Sequence, residues 1–112
     1  MTGNKTMDIK IRGMHVDLDD KTKDYVSEKI DMLEKYLGKI TPLNCDVIIE
    51  KVGGEQHSGN IYRVEVNLEL PHVMLSVDKT TDDINKSIDK AKDHLAEMIK
   101  SHKEKMTDRY RD

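Results

Sequence analysis

The sequence has no tryptophan, no phenylalanine and only one cysteine among its 112 residues. Without the two large apolar aromatic residues, a core must be built from Ile, Val, Leu, Met and the four Tyr. A single cysteine, Cys45, cannot form an internal disulfide, which agrees with a reducing compartment. Because Cys45 lies in a predicted strand and no predicted histidine neighbour would activate it, we expect it to pack in the core.

Long apolar runs are also absent, since VII (47–49) and VML (73–75) are among the longest. Such runs are too short for a membrane span, and the N-terminal MTGNKTMDIK lacks the apolar stretch of a signal peptide. We therefore expect a cytoplasmic protein. Charged residues make up 37% of the chain and its mean hydropathy is −0.73, which predicts one small domain with a thin core under a charged surface.

Patterns typical of catalytic and metal sites are missing. His94 and His102 lie two turns apart on one predicted helix, too far for joint metal ligation by themselves. The acid pairs Asp19-Asp20 and Asp82-Asp83 stand at predicted helix starts, where carboxylates stabilise the positive end of the helix dipole. The segment at 52–60, VGGEQHSGN, lacks the phosphate-loop pattern and joins two strands. We expect no enzyme activity, no cofactor, no metal and no small-molecule substrate.

Apolar periodicity predicts the element order β-α-β-β-β-α. The predicted elements are a strand at 7–13, a helix at about 20–37, strands at 45–52, 60–70 and 73–78, and a helix within 80–106. They indicate an α+β fold, a two-layer sandwich with a four-stranded sheet and two helices on one face. The first two strands should be parallel, and the last should be an edge strand. We expect one domain over 7–106, with flexible ends at 1–6 and 107–112.

Local signals also predict how the helices begin and end. Acidic residues at 17, 19 and 20 are candidates for the N-cap of the first helix, and Gly38 is the candidate C-terminal residue with a positive φ. Thr80 and Asp83 resemble a capping box for the last helix. The facing of the strand at 45–52 stays ambiguous, because three apolar residues are consecutive at 47–49.

Charge in the last helix is balanced but ordered. Residues 80–106 hold six lysines and six acids, which is typical of a solvated helix, yet residues 100–106 hold three lysines, one histidine and a single glutamate. This end could contact a polyanion. The net charge of −3 counts against nucleic-acid binding unless the positive charge is concentrated on one face. Both interpretations, solvated helix and polyanion contact, remain open.

Several segments together resemble the ribosome hibernation promoting factors, a family also called ribosome-associated inhibitor A, protein Y and sigma-54 modulation/S30EA. The resemblance covers about residues 7–106. Its segments are Met7-Asp8-Ile9-Lys10-Ile11, the string GMHVDLDDKTKDYVSEKIDMLEKYLGKI (13–40) with Tyr25-Val26 and Leu33-Glu34-Lys35-Tyr36-Leu37, and, in the last helix, Ile88-Asp89, Asp93, Leu95, Lys100, His102, Lys103 and Lys105. It implies a domain like the double-stranded-RNA-binding fold that binds 16S rRNA in the mRNA and tRNA channel of the small ribosomal subunit. Such a protein inhibits translation in stress or stationary phase.

The resemblance also implies which residues contact rRNA phosphates: Lys29, Lys35, Lys90, His94, Lys100, Lys103 and Lys105. The chain departs from the family pattern at His94, Glu97 and Ser101, where the family tends to have Lys or Arg. Tyr25 and Tyr36 would either stack on bases or pack against the last helix. The chain ends at Asp112, so we expect a short form that is monomeric away from the ribosome.

A protein-binding module is the alternative. It would use the sheet edge at 73–78 or an acidic surface, without RNA contact.

Overall fold

The computed structural model describes residues 7–53, 59 and 61–110, and within them the predicted element order is confirmed. The elements are β1 (Ile9–Met14), α1 (Asp20–Asp31), α2 (Glu34–Leu37), β2 (Asn44–Lys51), β3 (Tyr62–Leu70), β4 (Val73–Thr81) and α3 (Ile84–Tyr110). The sheet order is β1-β2-β3-β4; β1 and β2 are parallel and the other pairs are antiparallel. The helices cover one face, so the α+β two-layer class is confirmed, with β1 and β4 as edge strands.

The core lies between that sheet face and the helices. In β2 the buried residues are Cys45, Val47 and Ile49, so Ile48 lies on the opposite face and the ambiguity of this strand is resolved. The other buried apolar residues repeat every second position in the strands and every third or fourth in the helices. They include Val26, Ile30, Leu33, Leu37, Val64, Val66, Leu68, Leu70, Ile88, Ala91, Leu95 and Ile99.

The single helix predicted at 20–37 is divided in two. The N–H groups of Met32 and Leu33 bond to the carbonyls of Lys29 and Ile30, three residues back, which tightens the turn between α1 and α2. Asp19 is the N-cap of α1, because its carboxylate accepts the Thr22 N–H at 2.9 Å. This hydrogen bond lowers the pKa of Asp19.

Gly38 ends α2 with a φ of 60° and a ψ of −118°, a conformation that L side chains rarely adopt. The predicted positive φ at this residue is therefore confirmed.

The predicted capping box of Thr80 and Asp83 is wrong, because α3 begins at Ile84 and Asp83 is itself the residue before it. Thr80 lies opposite Arg63 in the β-ladder and is exposed, so it does not reach the helix start. Thr81 accepts the N–H of Asp83 at 3.1 Å, and the Asp83 carboxylate accepts the N–H of Lys86 at 3.0 Å. These two side chains cap α3.

The two ends of the last strand–helix unit differ from their predicted bounds. β4 continues to Thr81, beyond the predicted end at 78, and α3 continues beyond 106 to Tyr110 because no Gly or Pro interrupts residues 84–110. The Thr107 hydroxyl donates to the Lys103 carbonyl in this last part of α3.

Residues 1–6 and 111–112 and most of the 53–60 connector lie outside the described residues. Among the described helices, none is long and apolar enough to cross a membrane.

A small buried polar network attaches the start of α3 to the sheet. The Ser87 hydroxyl, fully buried, donates to the Tyr62 carbonyl at 2.7 Å and lies 2.7 Å from the Thr81 hydroxyl. Because buried polar groups must be paired, these bonds determine where α3 leaves the β4 edge.

We expect Ser87→Ala to lower the free energy of unfolding by about 1–3 kcal/mol, because the Tyr62 carbonyl loses a hydrogen-bond donor and the buried Thr81 hydroxyl loses its Ser87 partner. Ser76→Ala is the matched control; Ser76 is exposed on β4, and its change should stay within about 0.5 kcal/mol. Urea denaturation of both variants measures the difference. Equal unfolding midpoints and slopes for both variants would contradict the role of the network.

Candidate nucleic-acid interface

The sheet face that the helices leave uncovered carries most of the excess negative charge. Its outward strand positions hold five acids and three bases. These positions therefore carry a net charge of −2, out of −3 for the whole chain. These residues are Asp46, Glu50, Glu65, Glu69 and Asp78, with Lys10, Arg12 and Arg63. The helices themselves are nearly balanced, with 11 bases and 10 acids, so polyanion contact at the helix layer depends on where its lysines cluster.

Arg63 organises part of this acidic face. Its guanidinium donates to Asp78 at 2.8 Å, to Glu65 at 3.0 Å and to Glu50 at 3.4 Å. The hydrogen bond with Asp78 raises the pKa of Arg63. The pKa of Glu65 is lowered, chiefly by the amide of Asn67 and then by Arg63. Arg63, the central base of this face, is thus already paired with the acidic residues around it.

The helix layer contains a contact line between α1–α2 and α3, which we call the seam. At one end of it, the Tyr25 hydroxyl donates to Asp89 Oδ1 at 2.7 Å, and Lys29 Nζ lies 3.6 Å from the same oxygen. The Asp89 hydrogen bond, with a contribution from burial, raises the pKa of Tyr25 to about 12. Tyr25 therefore packs against the last helix, one of the two options that the sequence leaves open.

Tyr36 occupies the other end of the seam. The ammonium groups of Lys35 and Lys100 lie 5.2 and 5.1 Å from its ring centroid, within range of a cation–π interaction. Lys103 Nζ donates to the Tyr36 carbonyl at 2.8 Å and so satisfies one of the unpaired carbonyls at the end of α2. The seam thus brings four predicted contacts together: Lys29, Lys35, Lys100 and Lys103.

The remaining three predicted contacts lie on the other side of α3, facing β4, in what we call the flank groove. Its C-terminal part encloses about 330 Å³ between β4 and α3. Its lining residues are Val73, Leu75, His94, Glu97, Met98, Ser101, His102 and Lys105. The three positions where the family resemblance expects bases, His94, Glu97 and Ser101, therefore all lie in this one part of the groove.

The N-terminal part of the flank groove encloses about 410 Å³ where β4 meets α3. It is lined by Lys79, Thr80, Thr81, Asp82, Lys86 and Lys90. Lys90 is among the contacts predicted from the sequence, whereas Lys79 and Lys86 are not. The alternation of β4 is the signal that could have found Lys79, because it places this residue on the helix side with Leu75 and Val77.

The described part of the chain also bears on metal and thiol chemistry. No group of three His, Cys, Asp or Glu residues there could hold a metal ion. Cys45 is buried, and burial raises the pKa of its thiol to about 12, which disfavours the nucleophilic thiolate. The helix layer offers lysine ammonium groups on both sides of α3 and the imidazoles of His94 and His102 in the flank groove.

Comparison with known proteins identifies similar sequences and folds. The model of the family described as Sigma 54 modulation protein / S30EA ribosomal protein matches residues 9–107. A ribosome hibernation promoting factor from Pseudomonas putida is 30% identical over 99 residues, 88% of this chain and 89% of that protein. One from Azotobacter vinelandii is 28% identical over 103 residues, 92% of this chain and 89% of that protein.

Two solved structures share the fold. The N-terminal domain of Thermus thermophilus Protein Y superposes with a TM-score of 0.71 at 25% identity, over 83% of this chain and 94% of that one. A ribosomal subunit interface protein from Coxiella burnetii gives a TM-score of 0.70 at 19% identity, over 85% of this chain and 96% of that one, a likeness of fold alone. Both agree with the two-layer architecture described above.

We expect Tyr25→Phe to lower the free energy of unfolding by about 1 kcal/mol, because it removes the hydrogen bond to the charged Asp89. Tyr36→Phe is the matched control, since the described contacts of Tyr36 use its ring and its carbonyl and not its hydroxyl. Thermal and urea unfolding followed by circular dichroism would compare the two. If the two variants lose equal stability, the Tyr25–Asp89 bond does not stabilise the seam.

The raised pKa of Tyr25 also predicts a pH dependence. The folded protein keeps this proton to about pH 12, whereas an ordinary tyrosine loses it near pH 10. The resulting stabilisation is complete below pH 10 and is lost as the pH rises toward 12. Ultraviolet titration of phenolate should show a late ionisation step in the wild type, and Tyr25→Phe should reduce the amplitude of that step by one tyrosine. A late step of unchanged amplitude in this variant would refute the assignment.

Proposed function

The chain belongs to the Sigma 54 modulation protein / S30EA ribosomal protein family, and from this premise we propose that it is a ribosome hibernation factor that inhibits translation. It binds the 16S rRNA of the small subunit in the mRNA and tRNA channel during stress or stationary phase. Its role is non-enzymatic and requires no cofactor or small-molecule substrate. It acts in the cytoplasm and is a monomer away from the ribosome.

One observation supports rRNA binding most strongly: acids dominate the open sheet face, while the candidate bases lie on the helix layer. A phosphate backbone is attracted to the helix side and repelled by the open face, so the protein binds in one orientation. The proposed phosphate contacts are Lys29, Lys35, Lys90, His94, Lys100, Lys103 and Lys105. Their separation by α3 into the seam and the flank groove allows contacts with two segments of backbone.

The contacts should not contribute equally. Lys90 and Lys105 are exposed and have no ion pair or ring contact among the described residues, so they can turn toward a phosphate. Lys35 and Lys100 are also exposed, but both lie over the ring of Tyr36, and Lys100 also pairs with Glu97 at 3.5 Å. Lys29 and Lys103 are half-buried, and their ammonium groups already bond within the protein. Moving either group to a phosphate would break an existing contact. These two lysines therefore attract RNA through their positive electrostatic potential more than through direct hydrogen bonds.

Inhibition then requires no chemical step. Lysine contacts to phosphates recognise the shape and charge of folded RNA and carry little sequence information. A domain held in the channel by such contacts occupies the volume that mRNA and tRNA need. Translation is blocked by exclusion, and release of the protein restores the channel.

Co-sedimentation with purified 30S subunits over a salt series tests this proposal. We expect binding at low salt, with the logarithm of the affinity falling linearly with the logarithm of salt, by about 0.7–0.9 for each phosphate contacted. Subunits preloaded with mRNA and tRNA are the control and should bind much less protein. Absence of binding at every salt concentration, or equal binding to preloaded subunits, would refute the proposal.

A pull-down with and without RNase treatment, compared with the co-sedimentation result, addresses the protein-binding alternative. Capture of a protein partner that survives RNase treatment, without any binding to 30S subunits, would favour the β4 edge or the acidic face as the functional surface.

A further inference from the structure

Three lysines from two different elements meet in the N-terminal part of the flank groove. Lys79 comes from β4, whereas Lys86 and Lys90 come from successive turns of α3. The two elements are held together here by the buried Thr81–Ser87 contact, so the place where the lysines meet is determined by the fold. Convergence of like charges costs free energy in the absence of a counterion, which makes the cluster a candidate anion site.

The acidic residue in this part of the groove does not cancel the cluster. Asp82 pairs with Lys86 at 3.1 Å, and this bond lowers the pKa of Asp82. Lys79 and Lys90 have no ion pair among the described residues, so two positive charges remain. The N–H groups at the start of α3 are capped by Thr81 and Asp83. An anion would therefore meet chiefly lysine side chains, because the Thr81 hydroxyl is buried and already bonded to Ser87 and Asp83.

The C-terminal part of the same groove carries less positive charge. Glu97 lies there with His94 and Ser101, and Lys105 is its one lysine. The Glu97 carboxylate also forms an ion pair with the ammonium group of Lys100, at 3.5 Å. Relative to the pattern that the family resemblance implies, the bases of this chain are displaced toward the start of α3.

We propose that Lys79, Lys86 and Lys90 form a phosphate-binding subsite for the RNA backbone, and that it replaces the bases missing at positions 94, 97 and 101. The proposal rests on the proposed function, because it names where rRNA phosphates are held. Lys90 and Lys105 are fifteen residues apart on α3, about 22 Å. The flank groove can thus follow several successive phosphates, with the tightest contacts at its N-terminal end.

The test is the double variant Lys79→Gln/Lys90→Gln, which removes the two unpaired charges and keeps the Lys86–Asp82 pair. The matched control is Lys10→Gln/Arg12→Gln, which removes the same charge from the acidic sheet face. Binding of each to 30S subunits and to a short RNA duplex is measured over a salt series, after circular dichroism has confirmed equal folding.

We expect the subsite variant to bind 30S subunits roughly tenfold more weakly at moderate salt, with a salt slope smaller by about 1.4–1.8. The control should stay within roughly twofold of the wild type, since phosphates do not contact its face. Lys79→Arg/Lys90→Arg should restore binding, because it restores both charges.

Each outcome separates the subsite from the proposed function. If the wild type binds 30S subunits and the subsite variant binds as well as the control, the subsite is refuted and the proposed function stands. If the wild type binds only the RNA duplex, and this binding depends on Lys79 and Lys90, the subsite stands and the proposed function is refuted. Binding to neither refutes both. Inorganic tripolyphosphate that binds as tightly as RNA would refute an RNA-backbone subsite.

Discussion

The structure depends on one constraint: a four-stranded sheet with a single apolar face must be covered by helices that are built without large apolar aromatic residues. Aliphatic stripes on α1, α2 and α3 meet this need only when the helices lie side by side over the strands. Most of the inner face is then buried, and Leu95, Ile88 and Ile99 on α3 are completely inaccessible or nearly so. The seam and the flank groove are the two sides of α3 in this packing.

The same packing separates charge. Alternation along each strand sends one set of side chains into the core and the other to the open face, where acids outnumber bases. Bases on the helices are directed to the opposite side of the molecule. A chain that is acidic overall can therefore present clusters of lysine to RNA, although its helices together hold about as many acids as bases.

Several basic residues also serve the fold itself. Lys103 caps the end of α2, Lys29 shares Asp89 with Tyr25, and Lys100 lies over the ring of Tyr36. A lysine bonded inside the protein is less available to a phosphate, because the new contact must replace an existing one. This competition distinguishes the seam from the flank groove, where Lys79, Lys90 and Lys105 have no such bond among the described contacts.

The sequence by itself determined the element order, the fold class and most of the core, because apolar side chains repeat with the period of two in β3 and of about 3.6 in α3. It also indicated most of the bases of the helix layer. The division of the first helix at Met32, the capping role of Thr81 and the placement of Lys79 beside Lys86 and Lys90 were not evident from it. Contacts such as Tyr25–Asp89 and Lys103–Tyr36 join residues 64 and 67 positions apart. Only the tertiary structure decided these pairings, because they arise from the packing of whole helices and not from any local pattern.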